Sequence, residues 1–366
     1  MKIKNCQICR SKKLKKVISL GSTGLCDTLL TYEQTKKNEK SYPLNLFRCE
    51  NCQLLQLDFI VNNKELFHLD YPYKTSITAP LVKLLQSTPS YLKKKFNFGS
   101  NPFAIDIGSN DGTLLIGFKK LKFKTLGIEP TNIAKIAKKR GVNTIQRFFN
   151  LDTAKIVKKK YKKASVIIGT NLFAHVDKLD SFIKSVKMLL DTRKGVFVTE
   201  SHYAVDIVDD LQYDSIYHEH LFYFSLKTIE MIFKKYDLYA YDAVPSPISG
   251  GALIVLFKTV KIKKTKGYLK VWKREKKNGV NTINTWRSFS KFVKKHSNKF
   301  RKVREKVPAK VPAKVRAKVL GKSARNSARK SARRVCRVHK HLVWKLLFHA
   351  EQPGGPHRHG AGCDID

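Results

Sequence analysis

Residues 103 to 257 alternate short apolar runs with amphipathic stretches. The runs have the length of buried strands, and they are residues 103–107, 125–128, 144–145, 165–168, 195–199, 238–241 and 252–257. The stretches between them, such as residues 133–139 and 179–190, have the spacing of apolar positions that is typical of helices. This alternation predicts an α/β fold, with a parallel sheet covered by helices on both faces.

The flanks of this region have patterns of their own. Residues 70–76 are polar and aromatic and have the composition of a linker, and a helical pattern follows over residues 79–92. Pro89 is expected to break that helix, because proline lacks the N–H group that an inner helical turn needs. Residues 266–300 have a lysine-rich amphipathic pattern of helical type.

From residue 306 the chain becomes basic and repetitive, with Val-Pro-Ala-Lys and Ser-Ala-Arg units. Such a segment cannot bury a hydrophobic core, so we expect residues 303–366 to be a disordered, low-complexity tail. It is either a basic arm for nucleic acid or the end of a truncated or fused chain, and we favour the second interpretation.

Composition adds a strong positive charge to this picture. The 366 residues contain 73 Lys or Arg and 28 Asp or Glu, which gives a formal net charge of +45. Residues 301–366 hold 18 basic and 4 acidic residues, which leaves 55 and 24 for residues 1–300. The excess is therefore spread along the chain, a distribution more typical of solvated helix faces than of a nucleic-acid groove. It would still attract anionic ligands at long range.

The amino-terminal sequence lacks the apolar core of a signal peptide, and no run approaches the ~18 apolar residues of a membrane span. We therefore expect a cytoplasmic protein without membrane association, and a monomer. In that reducing compartment the seven cysteines are more often metal ligands or thiols than disulfides.

Four of these cysteines form two Cys-x-x-Cys pairs, Cys6 with Cys9 and Cys49 with Cys52. Each pair suits a tight turn that points two sulfur atoms at one ion, and two such turns complete a tetrahedral zinc site. With all four positions filled by sulfur, the metal would be structural. The alternative is redox-active or unligated cysteines.

A glycine-containing turn follows the first predicted strand, in Asp106-Ile-Gly108-Ser-Asn110-Asp111-Gly112. The glycines let the backbone pass close to a ligand where the strand leads into a helix. The second glycine of the dinucleotide fingerprint is absent, and acidic residues would repel a pyrophosphate, so the turn favours a ligand with a cationic end. Glu129 ends the second predicted strand, at the position where an acidic residue receives ribose hydroxyls. The alternative is an ordinary turn between a strand and a helix.

Two further groups of polar residues follow later strands. Asn171 and His175 lie at the carboxyl end of a predicted parallel strand, where doubly wound sheets place substrates. Residues 213–225 contain Tyr217, Glu219 and His220, and also His218. In a strand Tyr217 and Glu219 would share one face, whereas in a helical turn Tyr217 and His220 would do so. The His-x-His pair could bind metal, but no third ligand is placed with it, so we favour acid/base chemistry.

These motifs, in this order, resemble a known enzyme family. The glycine turn with Glu129 is similar to the S-adenosylmethionine site of Rossmann-like class I methyltransferases. Together with the cysteine pairs, Tyr71-x-Tyr73-x-x-Ser76, Asn171-x-x-Ala-His175 and Tyr217-His-Glu-His-Leu-x-Tyr-Phe-Ser225, it resembles the C-methyltransferases of nucleotide-linked deoxysugars. The resemblance covers residues 6 to about 257; the family's carboxyl-terminal α/β domain has no counterpart that we can find.

The resemblance implies a fold, a domain order and a set of site residues. It implies a zinc-binding domain over residues 1–65 and a Rossmann-like methyltransferase domain over residues 66–258, followed by a helical remnant of a carboxyl-terminal domain over residues 259–302. The implied cofactor residues are Asp106, Gly108, Asn110, Asp111, Gly112 and Glu129. Tyr217, Glu219 and His220 would be catalytic, and Tyr73, Asn171 and His175 would line the sugar pocket.

The implied reaction is methylation at C3 of a nucleotide-linked 4-keto-6-deoxy sugar. The ketone acidifies the C3 proton, so His220 would act as the base, Glu219 would orient it or replace it, and Tyr217 would donate to the enolate oxygen. Two alternatives remain. One is a methyltransferase for another small molecule or for nucleic acid, anchored by the basic tail. The other is an inactive protein that binds S-adenosylmethionine and zinc.

Overall fold

The computed structural model describes residues 1–28, 30–67 and 71–305, the last three of these as backbone only. The amino-terminal region consists of strands with two single-turn helices between and after them. Its elements are β1 (Leu14–Thr23), α1 (Tyr32–Thr35), β2 (Tyr42–Cys49), β3 (Leu55–Leu57) and α2 (Asn63–Leu66). Strands β1, β2 and β3 pair antiparallel, and one Cys-x-x-Cys turn forms the connection between β2 and β3.

A 17-residue helix, α3 (Ala79–Lys95), leads from this region to the main sheet, and it contains Pro89 in its interior. The expected break at Pro89 is therefore wrong. Leu85, Pro89 and Leu92 are buried, so packing of this face offsets the hydrogen bond that proline cannot make.

The remaining elements alternate strands and helices, as the hydrophobic pattern predicts. They are β4 (Phe103–Ile107), α4 (Thr113–Lys120), β5 (Lys124–Ile128), α5 (Ala134–Lys139), β6 (Thr144–Ile145), α6 (Leu151–Lys160), β7 (Val166–Thr170), α7 (Leu179–Leu189), β8 (Val196–His202), α8 (Ala204–Asp209), β9 (Phe222–Tyr223), α9 (Leu226–Lys234), β10 (Tyr239–Ser246), β11 (Ala252–Lys258), α10 (Lys266–Asn278) and α11 (Ile283–Glu305).

Seven of the strands form one sheet in the order β10-β11-β8-β7-β4-β5-β6. Strands β4 to β8 pair in parallel, but β11 runs antiparallel to both β8 and β10. The expectation of an all-parallel sheet is wrong here for a physical reason. Only five residues join β10 to β11, whereas a parallel crossover needs a dozen or more.

Strand β9 does not join this sheet. It pairs with β3, so that the amino-terminal sheet has the order β1-β2-β3-β9. Residues 213–225 are thereby attached to the amino-terminal region by a backbone ladder.

Contacts near the end of α10 tie it to the core. The Glu275 carboxylate accepts from the backbone N–H groups of Leu226 and Lys227 at the start of α9. Arg48, next to Cys49, donates to the carbonyl of Asn281. The chain divides into two compact units, Met1–Lys291 and Phe292–Asp366. In the second unit α11 continues to Glu305, and the predicted basic tail beyond it lies outside the described residues.

Among the described helices, none is both long enough and apolar enough to cross a membrane.

Candidate active site

The two Cys-x-x-Cys turns bring all four sulfur atoms together. Cys6 Sγ lies 3.5 Å from Cys52 Sγ, and Cys9 Sγ lies 3.5 Å from Cys49 Sγ. All four sulfur atoms lie within 4.8 Å of one another. Zn–S bonds of ~2.3 Å in a tetrahedron place the sulfurs ~3.8 Å apart, so the cluster fits a structural zinc ion.

The two turns share one backbone geometry. In each, the fourth residue after the first cysteine donates its N–H to that cysteine's carbonyl, from Arg10 to Cys6 and from Gln53 to Cys49. Both donors have positive φ, 62° for Arg10 and 69° for Gln53. This conformation is uncommon for residues other than glycine, and it recurs here in two turns that serve one metal site.

The turn after β4 is shaped by its glycines. Gly108 has φ 70° and Gly112 has φ 79°, values that L-residues with a Cβ rarely adopt. A Cβ at Gly112 would approach Val142 Cγ2 to 2.9 Å, and one at Gly108 would approach Leu172 Cδ1 to 3.1 Å. The Asn171-Leu172 loop after β7 therefore lies beside this turn.

Asn110 and Asp111, predicted to bind cofactor, have their side chains turned toward residues 71–77. Asn110 Oδ1 accepts from Thr75 N at 2.9 Å, and Asn110 Nδ2 donates to the carbonyl of Tyr73 at 3.1 Å. Asp111 Oδ1 accepts from Thr75 Oγ1 at 2.6 Å, and Oδ2 accepts from Ser76 N at 3.0 Å. The segment that the composition marks as a linker is thus hydrogen-bonded to the turn.

Glu129 supports the same turn from the end of β5. Its Oε2 accepts from the backbone N–H of Asn110 at 2.9 Å, and its Oε1 accepts from Thr131 N and Oγ1 at 2.9 Å and 2.7 Å. Asp106 is buried in β4, and its Oδ1 has no hydrogen-bond partner among the described residues. Burial, with the Glu129 carboxylate nearby, raises the pKa of Asp106 well above its usual range.

Two more acceptors without partners lie at the carboxyl ends of neighbouring strands. Asn171 follows β7 with φ 50°, and its N–H donates to the carbonyl of Glu200 on β8 at 2.9 Å. Asn171 Oδ1 and Glu200 Oε1 are buried and unpaired within the described part of the chain. Burial raises the pKa of Glu200. Together with Asp106 Oδ1, these atoms suit a ligand that brings hydroxyl and ammonium donors, which S-adenosylmethionine does.

Tyr217 and His220 meet in a turn. His220 N donates to the carbonyl of Tyr217, and Tyr217 Oη lies 3.0 Å from His220 Nε2. His220 Nδ1 lies 3.0 Å from the carbonyl of Ser215, so Nδ1 carries the ring hydrogen and Nε2 accepts from the tyrosine. Of the two geometries open from the sequence, the structure has the helical one, in which Tyr217 and His220 share a side.

Backbone bonds hold this turn against two other elements. Leu221 accepts from Leu57 N in β3 at 3.0 Å and donates to the carbonyl of Ala174 at 2.8 Å. His218 Nε2 lies 3.2 Å from the carbonyl of Tyr42, and both the ring and its surroundings are buried. His218 therefore has a structural position.

The rings of three histidines from different elements lie together. The ring centroid of His220 is 4.9 Å from that of His175 and 4.5 Å from that of His202. Across residues 1–28, 30–67 and 71–305, however, the four cysteines are the only group of three or more His, Cys, Asp or Glu residues with ligand atoms close enough for a metal ion.

Glu219 points to a second set of residues. Its Oε2 accepts from Tyr71 Oη at 3.3 Å and lies 3.9 Å from His175 Nδ1. Burial, reinforced by the negative charge of Asp27, raises the pKa of Glu219 to about 8. Burial lowers the pKa of His175 to about 4. At neutral pH both groups are therefore uncharged.

The structure thus brings the predicted residues Tyr217, His220, Glu219 and His175 into one cluster. Tyr73 lies on the neighbouring segment, with 41% of its surface exposed. Sequence reasoning did not assign site positions to three residues near this cluster, which are Tyr71, Glu200 and His202. For Glu200 and His202 the one signal in the sequence was the Thr199-Glu-Ser-His202 run, at the end of the predicted strand over residues 195–199. Strand ends at this edge of the sheet place side chains at the ligand.

Comparison with protein families fits this arrangement. Residues 6–67 match the family described as "Putative zinc binding domain", and residues 83–242 match the family described as "Methyltransferase domain". The chain carries a methyltransferase domain. The methyltransferase match includes β4 to β8 of the seven-stranded sheet, and the zinc-binding match includes all four cysteines of the sulfur cluster.

Individual proteins resemble the chain more distantly. The C-methyltransferase NovU from Streptomyces niveus is 28% identical over 254 residues, which are 69% of this chain and 60% of NovU. The chain therefore spans less than two thirds of the length of this relative.

Solved structures resemble the chain only at low similarity. The PH0226 protein from Pyrococcus horikoshii OT3 is 12% identical, with a TM-score of 0.40, over 55% of this chain and 99% of that one. The magnesium protoporphyrin IX methyltransferase ChlM from Synechocystis PCC 6803, with bound SAM, is 10% identical, with a TM-score of 0.37, over 48% of this chain and 79% of that one. Likenesses at this level say nothing about the substrate.

Proposed function

We propose that this chain is an S-adenosylmethionine-dependent C-methyltransferase that methylates C3 of a nucleotide-linked 4-keto-6-deoxy sugar. The observation that carries the proposal is the Tyr217–His220 pair, in which a buried imidazole with a fixed tautomer presents Nε2 to a tyrosine hydroxyl. The relative named a C-methyltransferase supports carbon as the acceptor, and the order of the motifs supports the sugar class.

The methyl donor would lie over the turn after β4. Bound S-adenosylmethionine supplies an electrophilic methyl group, to which the substrate carbon bonds as the carbon–sulfur bond breaks. Asp106 is the acceptor for its cationic end, and Glu129 lies where the ribose hydroxyls are received. Glycine is needed at positions 108 and 112 to keep the shape of this turn, because a side chain would meet Leu172 at the first position and Val142 at the second.

His220 is the proposed base for the C3 proton. Its Nδ1 hydrogen is committed to the Ser215 carbonyl, so Nε2 holds the lone pair that takes the proton. Burial raises the pKa of Tyr217 well above its usual range, so this hydroxyl stays protonated. When the substrate ketone binds, Tyr217 can donate to its oxygen instead of to His220, which stabilises the enolate and uncovers Nε2.

Glu219 and His175 would orient the sugar rather than take its proton. A protonated Glu219 and a neutral His175 can each donate one hydrogen bond without the desolvation cost of a charge. Tyr73 and Asn171 would border the same space, and Asn171 Oδ1 is unpaired within the described residues. These four side chains would therefore select hydroxyl and carbonyl groups around the ring.

The test is incubation of the full chain with S-adenosylmethionine and a panel of nucleotide-linked 4-keto-6-deoxy sugars. We expect a mass gain of one methylene, with the new methyl group on carbon by NMR. In D₂O with S-adenosylhomocysteine in place of the donor, the C3 proton should exchange for deuterium. Methylation on oxygen, or turnover without any C3 exchange, would rule out the enolate route.

A further inference from the structure

Residues 71–77, here called the strap, connect the zinc-binding region to α3 and touch two functional parts of the molecule. Four hydrogen bonds join the strap to the side chains of Asn110 and Asp111, with lengths of 2.6 Å to 3.1 Å. At its other end Tyr71 donates to Glu219, 3.3 Å away.

The Asp111 carboxylate is bound to several groups inside the protein. Besides Thr75 Oγ1 and Ser76 N, it accepts from Thr113 N at 3.2 Å and Thr113 Oγ1 at 2.7 Å, and it pairs with Arg140 at 3.1 Å. Asp111 has no exposed surface. Burial by itself would raise the pKa of Asp111, but these hydrogen bonds and Arg140 hold it below its usual value. Four of these contacts are made by Oδ1 and one by Oδ2, so the carboxylate holds the strap, the start of α4 and Arg140 together.

The same side chain also fixes the turn that would hold the cofactor. Asp111 binds the N–H of Thr113 at the start of α4, while the neighbouring Asn110 N–H is held by Glu129. The conformation of the turn and the position of the strap therefore depend on one connected set of hydrogen bonds.

We propose that Asn110, Asp111 and Thr75 form a clamp of positioning residues that holds the Tyr71 hydroxyl against Glu219. As a consequence, the strap couples the turn after β4, which would hold the cofactor, to the Glu219 carboxyl, which would face the substrate. The clamp itself follows from the contacts above, whereas its role in substrate orientation rests on the proposed function.

The clamp can be tested with a matched pair of variants. Thr75→Val removes the hydroxyl that donates to Asp111 and keeps the side-chain shape. Thr78→Val makes the same substitution at an exposed residue whose side chain forms no capping hydrogen bond to α3. Hydrogen exchange of peptides covering residues 71–77, followed by mass spectrometry, should be faster in Thr75→Val by about tenfold, the factor expected for a lost hydrogen bond to a charged acceptor. Thr78→Val should exchange as the wild type does.

The coupling to Glu219 has its own readout, which needs no substrate. The melting temperature is followed against pH in the wild type, Glu219→Gln, Tyr71→Phe and Thr75→Val. The melting temperature should fall as Glu219 ionises, and Glu219→Gln should abolish this fall. The Tyr71 hydrogen bond favours the ionised form of Glu219. Its loss in Tyr71→Phe and in Thr75→Val should therefore move the fall to higher pH.

Equal strap exchange in Thr75→Val and Thr78→Val would overturn the clamp. A shift of the pH transition in Tyr71→Phe but not in Thr75→Val would overturn the coupling. If both readouts respond as expected while no keto sugar is methylated, the clamp stands and the proposed function fails.

Discussion

At the scale of single residues, the candidate site separates into two groups of side chains with different proposed tasks. Tyr217 and His220 are linked directly through oxygen and nitrogen, and the histidine is anchored by a backbone carbonyl. Glu219, one residue away in sequence, points instead toward Tyr71 and His175. A turn that directs adjacent side chains to different partners allows one stretch to serve both proton transfer and substrate orientation.

Replacing His220 with Asn tests the first pair. Asparagine keeps an amide donor for the Ser215 carbonyl but has nothing at the position of Nε2. We expect turnover to fall by about 10²-fold to 10⁴-fold, the usual contribution of a general base, with little change in S-adenosylmethionine affinity measured by calorimetry. A parallel loss of turnover and cofactor affinity would instead mean that His220 is structural.

Glu219, in the second group, predicts a pH dependence of stability. The folded-state pKa of Glu219 is raised to about 8 from an ordinary value of 4.5, so the folded state binds more protons than the unfolded state between these values. The contribution of Glu219 to the free energy of unfolding is therefore complete below pH 4.5 and is lost as the pH rises through about 8. Thermal unfolding from pH 5 to 9 should show this decline in the wild type and a flatter profile in Glu219→Gln. Identical profiles would show that Glu219 ionises normally.

At the scale of elements, a two-residue strand attaches the proposed catalytic residues 217–220 to the zinc-binding region. Strand β9 pairs with β3, and β3 directly follows the second cysteine turn. A structural zinc ion would therefore stabilise the position of residues 217–220 as well as its own region.

Cys49→Ser tests this connection, with Cys26→Ser as the matched control. Cys49 belongs to the four-sulfur cluster, whereas Cys26 lies outside it and is exposed. We expect Cys49→Ser to lose bound zinc by elemental analysis, to melt at a lower temperature and to exchange its β9 amides faster. Cys26→Ser should keep its zinc. Loss of zinc without faster exchange in β9 would mean that the strand is held independently.

Another prediction at the scale of elements concerns the close contact between α3 and α4. A Cβ at Gly117 would lie 2.9 Å from the backbone oxygen of Gln86 and 3.0 Å from Pro89 Cγ. Gly117→Ala should therefore destabilise the fold by roughly 1–3 kcal/mol through overpacking, although alanine is the better helix former. Denaturant unfolding measures the change, with Lys135→Ala on the exposed face of α5 as the control. An unchanged midpoint would mean that α3 can move away at no cost.

At the scale of the whole molecule, the net charge of +45 should act on the substrate before contact. A nucleotide-linked sugar carries a negatively charged diphosphate, so the field of the protein raises its local concentration. We expect the KM for the sugar nucleotide to rise with ionic strength, because salt screens this attraction, while the affinity for the cationic methyl donor does not weaken. A KM independent of salt would show that the lysines are only a solvated surface.

The amino-acid sequence by itself determined the features that depend on short spacing. The two Cys-x-x-Cys turns, the glycine turn after the first strand of the main sheet, and the alternation of strands and helices were all predicted, because each is encoded within a few neighbouring residues. The zinc site and the α/β fold could be inferred from these features, and the methyltransferase domain from the resemblance of the ordered motifs to a known family.

Only the tertiary structure decided which distant residues meet. Pro89 is accommodated by packing against α4, β9 leaves the main sheet to pair with β3, and Tyr71 reaches Glu219 across 148 positions of sequence. The acceptors of Asn110 and Asp111 are likewise filled by a strap that the sequence presents as a linker. Such contacts are set by the burial and hydrogen bonding of whole elements, which the local sequence does not encode.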